Sequence, residues 1–178
     1  IIVGSIPLMI FGYIIHSNDL IYFVRNVEII AWTTLFFGFI LYFSDQSKTK
    51  KNISKNLNLK SIIFIGIFQI LALIPGVSRA GITITAARFL NYNRVDSTKI
   101  SFLLSIPALI GASSLGITDA FKETLEISYL SIIAIILSFL FSFITVKYFL
   151  KYVNNFSLNI FVIYRVFLGI ILLLIIYL

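Results

Sequence analysis

Five stretches of this chain are apolar and almost free of charge: Ile1–Ile15, Val27–Phe43, Ile100–Ile117, Ile127–Val146 and Ile160–Leu178. No other feature restricts the fold as much. A bilayer core is about 30 Å thick, and a helix of roughly 20 mostly apolar residues crosses it. Each stretch reaches or approaches that length. Gly and Pro lie inside them, which membrane helices tolerate better than soluble ones. Composition agrees: 60% of the 178 residues are apolar and 12% are charged. That is about half of the roughly 25% charge of a soluble domain. A soluble enzyme, a disordered chain and a nucleic-acid-binding module are thereby excluded. The net charge of +7 then belongs to loops at a membrane surface. There is no Cys, hence no disulfide framework, thiolate metal site or cysteine nucleophile. Nothing around Ile1 reads as a signal peptide. The first apolar run opens at Ile1 and the only Met is Met9, so the sequence reads as a piece of a longer chain.

The connecting segments alternate in charge. His16–Asn26 is neutral, with Asp19 against Arg25. Ser44–Lys60 carries Lys48, Lys50, Lys51, Lys55 and Lys60 against Asp45. Thr118–Glu126 is acidic through Asp119, Glu123 and Glu126, and Lys147–Asn159 is basic through Lys147 and Lys151. Cytoplasmic loops hold the excess of Lys and Arg. This rule puts Ser44–Lys60 and Lys147–Asn159 inside and the C-terminus outside.

One region does not fit simple spanning. Ser61–Ile74 is apolar but short, and it stops at Pro75-Gly76. A second short stretch, Gly81–Leu90, follows, and basic residues return at Arg94 and Lys99. Both flanks look cytoplasmic. Two half-length helices joined by a Pro-Gly turn, with both ends on one side, describe a re-entrant helical hairpin over 61–90. The alternative is one spanning helix followed by an interfacial one. It reverses every later loop and places the acidic Thr118–Glu126 segment inside, against the charge bias. The expected fold class is an all-α polytopic membrane protein: spanning helices plus a re-entrant helical hairpin.

The turn reads Pro75-Gly76-Val77-Ser78-Arg79-Ala80-Gly81-Ile82-Thr83. Pro75 cannot continue the first half-helix, and Gly76 can take the positive φ of a sharp reversal. A new helix starts near Ser78 or Ala80. Its first N–H groups lack intrahelical partners and, with the helix dipole, attract anions. Gly81 lets backbone approach a ligand. Arg79 adds a planar donor fork suited to phosphate oxygens. Thr83, four residues on, can face the same spot. Taken singly, Ser78 is an N-cap and Arg79 a snorkelling side chain. Together they read as a phosphate or diphosphate site, because irregular backbone at membrane depth lines a cavity or is buried in protein. An ionisable residue there is a functional hypothesis by default. Arg88 either binds phosphate or snorkels. Glu28, at a helix start, suits the positive dipole end and is read as structural. His16 is read as a solvated loop residue.

These residues are also familiar as a group. Gln69 to Thr83 resembles the Q-x-L-A-x-x-P-G-x-S-R-S-G-x-T signature of bacterial undecaprenyl-diphosphate phosphatases, the bacitracin-resistance family. Ser101-Phe102-Leu103-Leu104-Ser105-Ile106-Pro107, with Gly111-Ala112-Ser113 after it, resembles the family's F-S-F-L-L-x-I-P helix. Ile163-Tyr164-Arg165 fits its last helix, and Ile2–Pro7 resembles its I-I-G-x-I-P segment. The resemblance implies six spanning helices and two re-entrant hairpins in two inverted repeats, with the site near the midplane. This chain would hold the C-terminal part of that fold. Residues 1–60 would be the last two spanning helices of the first repeat and a cytoplasmic loop. Residues 61–178 would be the second repeat, with the hairpin at 61–90 and spans at 100–117, 127–146 and 160–178.

The implied activity is hydrolysis of undecaprenyl diphosphate to undecaprenyl phosphate and phosphate, which recycles the lipid carrier of peptidoglycan synthesis and gives bacitracin resistance. The implied location is the bacterial cytoplasmic (inner) membrane, with a pocket opening outward. Matching the motif carries catalytic roles to Ser78, Arg79 and Thr83 and substrate binding to Gly76, Gly81 and Arg88. The family's second Ser is Ala80 here, which removes one hydroxyl. The family's Glu motif and Ser-Gly-His-type motif have no counterpart in this sequence. A divalent cation, Mg or Ca, would be held by that absent part, and no metal ligands are expected here. This piece alone is expected to be inactive. The expected partners are the polyprenyl diphosphate lipid, the membrane and a second copy in a homodimer, with no nucleic acid. The rival reading is a polyprenyl-phosphate transporter or flippase using the same hairpin; a purely structural subunit would leave the charge at the turn unexplained.

Overall fold

The computed structural model describes residues 1–18, 26–122 and 129–178, with backbone only at 115 and 118–122. Among these residues the chain forms helices α1 (Ile2–Ser17), α2 (Val27–Asp45), α3 (Ile53–Asn56), α4 (Leu59–Ile70), α5 (Arg79–Phe89), α6 (Arg94–Lys122), α7 (Tyr129–Asn155) and α8 (Asn159–Tyr177). Four are long and apolar enough to cross a membrane: α2, Arg94–Ser114 of α6, α7 and α8. The expected first span, α1, is a helix of 16 residues, shorter than those four. Asp19, Arg25 and the acidic side chains of Thr118–Glu126 lie outside the described residues.

Small polar residues start several helices, because a side-chain oxygen can take an otherwise orphaned N–H. Asn26 accepts from the Glu28 N–H at 3.0 Å, Asn58 from Ser61 at 2.8 Å, and Asn93 from Asp96 at 2.7 Å. The expected basic loop Lys147–Asn159 is mostly helix. α7 runs on through Lys147 and Lys151 to Asn155, so the connection to α8 is only a few residues long. Nothing in Val146–Asn155 breaks a helix, and a cation in the last turns suits the negative end of the dipole.

Polarity is arranged inside out. Ile135, Phe139 and Phe143 of α7 are 70%, 69% and 64% exposed, whereas Gln69, Thr85, Ser97 and Thr98 are buried. Lipid is as apolar as these outward side chains, so helices associate through close packing and internal hydrogen bonds instead. α1 and α4 show the packing. A Cβ on Gly66 would lie 3.0 Å from the Gly4 Cα, so the two backbones touch.

Helices α4 and α5 form a hairpin whose two ends lie together. Lys50 and Lys51 donate their N–H groups to the Asn91 carbonyl at 3.0 Å, and the Tyr92 hydroxyl donates to the Asn56 carbonyl at 2.8 Å. Beside these ends sits Asp45, with its side chain fully buried. It accepts from Arg94 Nε at 2.7 Å, Arg94 Nη2 at 2.9 Å and the Leu158 N–H at 3.1 Å. Arg88 Nε lies 3.7 Å away. Its Nη1 donates to the Tyr92 carbonyl at 2.6 Å, and its Nη2 to the carbonyls of Asp45 at 2.9 Å and Ser47 at 2.6 Å. One carboxylate thus ties α2 to α5, α6 and the α7–α8 connection. Burial pulls the Arg88 pKa down, and the Asp45 charge opposes that shift.

Asp45→Ala leaves two guanidinium groups without their anion. Breaking a buried pair costs about 3–5 kcal/mol. The lower end is expected here, because Arg94 is 36% exposed. Thermal unfolding in detergent should show a clearly lower midpoint than wild type.

Candidate functional site: the turn between α4 and α5

The 3-10 segment Leu71–Leu73 ends α4, and the chain reverses through Pro75 and Gly76. Gly76 has φ +88°, a conformation that L side chains rarely adopt. It is also packed from one side: a Cβ there would lie 2.6 Å from the Ile30 carbonyl and 2.9 Å from Thr34 Oγ1, and would collide with Thr33 Oγ1. Ser78 then takes φ +62°, ψ +116°. For a residue with a Cβ this region is sparsely populated and costs about 1–3 kcal/mol. Strain of that size survives where surrounding structure holds it. Ser78 caps α5, its Oγ accepting the Gly81 N–H at 3.3 Å.

Three successive carbonyls of the turn meet donors from other helices. Thr33 Oγ1 lies 2.6 Å from the Pro75 oxygen, Thr34 Oγ1 lies 3.3 Å from that of Gly76, and Arg165 Nη2 donates to that of Val77 at 2.9 Å. Arg165 comes from α8 and is 8% exposed. Its Nη1 is buried without a partner among the described residues. A Cβ on Gly81 would lie 3.2 Å from Arg165 Nη2 and 3.4 Å from Ser78 Oγ, so the guanidinium occupies the space that glycine leaves.

These groups line a cavity of about 480 Å³. Its polar end carries Thr34, Ser78, Gly81 and Arg165, and its walls include Ile84, Phe149, Leu158 and Phe161. Gly76 and Ala80 also line it. The hydroxyl that Ala80 lacks would therefore belong to a cavity residue. Arg79 is half-buried at the start of α5 and does not line this cavity; its Nη1 is buried without a partner among the described residues. Two arginines at one turn thus keep a donor open.

The remaining expected residues are placed elsewhere. The Thr83 hydroxyl contacts the carbonyls of Arg79 at 2.9 Å and Ala80 at 3.1 Å and lies 2.7 Å from Ser101 Oγ on α6. It is buried and turned toward α6. Arg88 sits nine residues beyond Arg79, about 13 Å along α5. It lines a different cavity with Asp45 and Arg94, and its donors go to main-chain carbonyls. His16 lies in the last turn of α1 rather than in a loop. Glu28 lies in the first turn of α2, where the Tyr177 hydroxyl donates to its carboxylate.

Arg165 was not among the site residues expected from sequence. The signal for it was present: an ionisable residue inside an apolar helix is a functional candidate by default. Among the described residues no group of three His, Cys, Asp or Glu side chains could hold a metal ion. The cavity lining offers donors and apolar surface, a set that does not fit a divalent cation.

Comparison with known proteins follows the same residues. The profile of the family described as Bacitracin resistance protein BacA matches residues 1–171. An undecaprenyl-diphosphatase of Pelagibacter ubique (strain HTCC1062) is 61% identical over 178 residues, covering 99% of this chain and 70% of that protein. Undecaprenyl-diphosphatases of Jannaschia sp. (strain CCS1) and Elusimicrobium minutum (strain Pei191) are 37% and 39% identical. They match over 99% and 96% of this chain and 67% and 64% of their own length.

The backbone geometry makes opposite predictions for two neighbours. Gly76→Ala adds a Cβ at positive φ against two threonines and should destabilise by at least about 2 kcal/mol. Ser78→Gly removes the strain while keeping the turn, and it should melt no lower than wild type. Thermal unfolding of both variants in detergent checks this.

Proposed function

Because this chain belongs to the Bacitracin resistance protein BacA family, we propose that it works as an undecaprenyl-diphosphatase, with the α4–α5 turn as its diphosphate-binding part. It is an all-α polytopic membrane protein, and the curated relatives it matches carry the name of a hydrolase. The reaction cleaves undecaprenyl diphosphate to undecaprenyl phosphate and phosphate. That reaction renews the lipid carrier of peptidoglycan synthesis and underlies bacitracin resistance.

The observation that carries the site assignment is one convergence. The start of α5, the Ser78 hydroxyl and the Arg165 guanidinium meet at the polar end of a cavity whose other walls are apolar. A diphosphate on a polyprenyl tail has the same division. Hydrolysis adds water across the phosphoanhydride: a P–O bond forms to the attacking oxygen, and the bond to the bridging oxygen breaks. Negative charge spreads over the phosphoryl oxygens in the transition state. Fixed donors in a site that excludes water stabilise it best. Arg165 supplies a planar fork, the first turn of α5 supplies N–H groups, and Arg79 adds a second positive charge beside them. Ser78 Oγ accepts from Gly81, which leaves its own proton to donate. Among the described residues no His, Asp or Glu lines the cavity to act as a base. Ser78 can give its proton to a phosphate oxygen as a positioning donor, or act as the nucleophile where a base outside the described residues serves it. Thr83 supports this turn from behind through Ser101.

The geometry also supports the re-entrant reading. Both ends of the hairpin lie at the Asp45 end of α2, while its turn reaches Thr33, about 18 Å further along that helix. The cytoplasmic membrane as location, the inverted-repeat architecture and a homodimer belong to the same proposal. Transport without cleavage gains no support from the relatives, which are named for a diphosphatase.

Phosphate release from undecaprenyl diphosphate by the full-length protein in proteoliposomes tests the reading. Arg79→Ala, Arg165→Ala and Ser78→Ala should each lower turnover, the arginine variants by roughly 100-fold or more. Near-normal turnover in all three would overturn the site assignment. Lipid movement without phosphate release would favour transport.

A further inference from the structure

The strain at Ser78 raises the question of what holds it. Released, the turn would relax to a negative φ and carry the Ser78 hydroxyl and the start of α5 with it. Hydrogen bonds within the hairpin are too few to prevent this. Val77 N–H reaches the Ile74 carbonyl at 3.3 Å, Ile82 N–H reaches that of Ser78 at 3.0 Å, and Gly81 N–H reaches Ser78 Oγ at 3.3 Å. The other holds on the turn's backbone come from outside the hairpin, and two of the three are adjacent threonines of α2. Thr34 is 5% exposed. Thr33 Oγ1 also lies 2.8 Å from the Ile29 carbonyl and 3.2 Å from that of Ile30, but its shortest contact is the 2.6 Å one to Pro75. Two oxygens that close repel unless a proton lies between them, so the Thr33 proton belongs to the turn.

We infer that Thr33 and Thr34 are positioning residues for the diphosphate site: they fix the Pro75 and Gly76 carbonyls and so hold Ser78 in its strained, cavity-facing conformation. This rests on reading the turn as the diphosphate site. The pair touches no phosphate; it acts through the backbone. The far end of α5 is held independently by Arg88 and Asp45, about two and a half turns away. Losing the threonine hydroxyls therefore leaves the turn on its Arg165 contact alone and loosens it without releasing the helix. The same contacts explain why Gly76 must lack a Cβ, since both hydroxyls press on that position.

The test compares Thr33→Val/Thr34→Val, which keeps shape and loses both hydroxyls, with Thr33→Ser/Thr34→Ser, which keeps them. Two readouts are taken on the purified full-length protein: calorimetric binding of inorganic diphosphate, and kcat and KM for phosphate release from undecaprenyl diphosphate. The valine pair should bind diphosphate about tenfold more weakly and lose roughly 10–100-fold in kcat, the scale of a small misplacement of reacting groups. Its KM for the lipid should change little, and its melting midpoint should fall, because two carbonyls lose their partners and relief of the strain at Ser78 offsets only part of that cost. The serine pair should behave like wild type. Wild-type binding and kcat in the valine pair would overturn the inference, as would a serine pair as impaired as the valine pair. Weakened binding in the valine pair, with no phosphate release even by wild type, would keep the positioning role and sink the diphosphatase reading. Wild type that binds no inorganic diphosphate would overturn both.

Discussion

A chain that breaks a helix within a packed protein leaves backbone groups without their helical partners, and each costs several kcal/mol when buried unless another group supplies one. The turn between α4 and α5 meets this demand with side chains of two other helices. Thr33 and Thr34 of α2 and Arg165 of α8 contact three successive carbonyls. This requires α2 and α8 to lie side by side against the turn, and they pack closely. A Cβ on Gly169 of α8 would come within 2.5 Å of Leu35 on α2. The cavity, the presentation of Ser78 and the approach of Arg165 to Gly81 all follow from that arrangement.

The second demand is charge. Arg88 is 2% exposed and Arg165 8% exposed, and an unpaired buried cation is costly. The protein answers differently at its two ends. Beside Asp45 the charges are matched, with a bidentate carboxylate and carbonyl acceptors around Arg88. At the turn Arg165 has one carbonyl partner and a buried nitrogen with none among the described residues. Arg88 Nε makes no hydrogen bond but faces its own carboxylate at 3.7 Å, whereas Arg165 has no anion beside it among the described residues and keeps a donor open at a cavity. The same residue type thus serves as a clamp at one end of the hairpin and offers an open donor at the other.

Much was legible in the chain. The apolar stretches announce helices, Pro75-Gly76 announces a reversal, and Ser78 announces a helix start; α5 begins at Arg79. The partners of those residues were not legible. Thr83 at four residues from Arg79 satisfies a helical spacing, yet its hydroxyl goes to Ser101, which no local pattern foretells. Arg88 lies in the signature's own helix, yet it belongs to Asp45 and the carbonyls around it. Lys147 and Lys151 marked a loop by charge but extend α7, because positive charge alone does not end a helix.

The sequence by itself determined the solvent, the helices and the place where the chain turns back, because hydropathy, glycine, proline and capping act over a few neighbouring residues. It also determined the family, since the signature around the turn is contiguous. Only the tertiary structure decided which cations are clamps and which are open, and that the turn leans on Thr33, Thr34 and Arg165. Those contacts join residues 42 to 88 positions apart. Which helix lies beside which is set by the packing of whole helix faces, and no short segment of sequence contains that information.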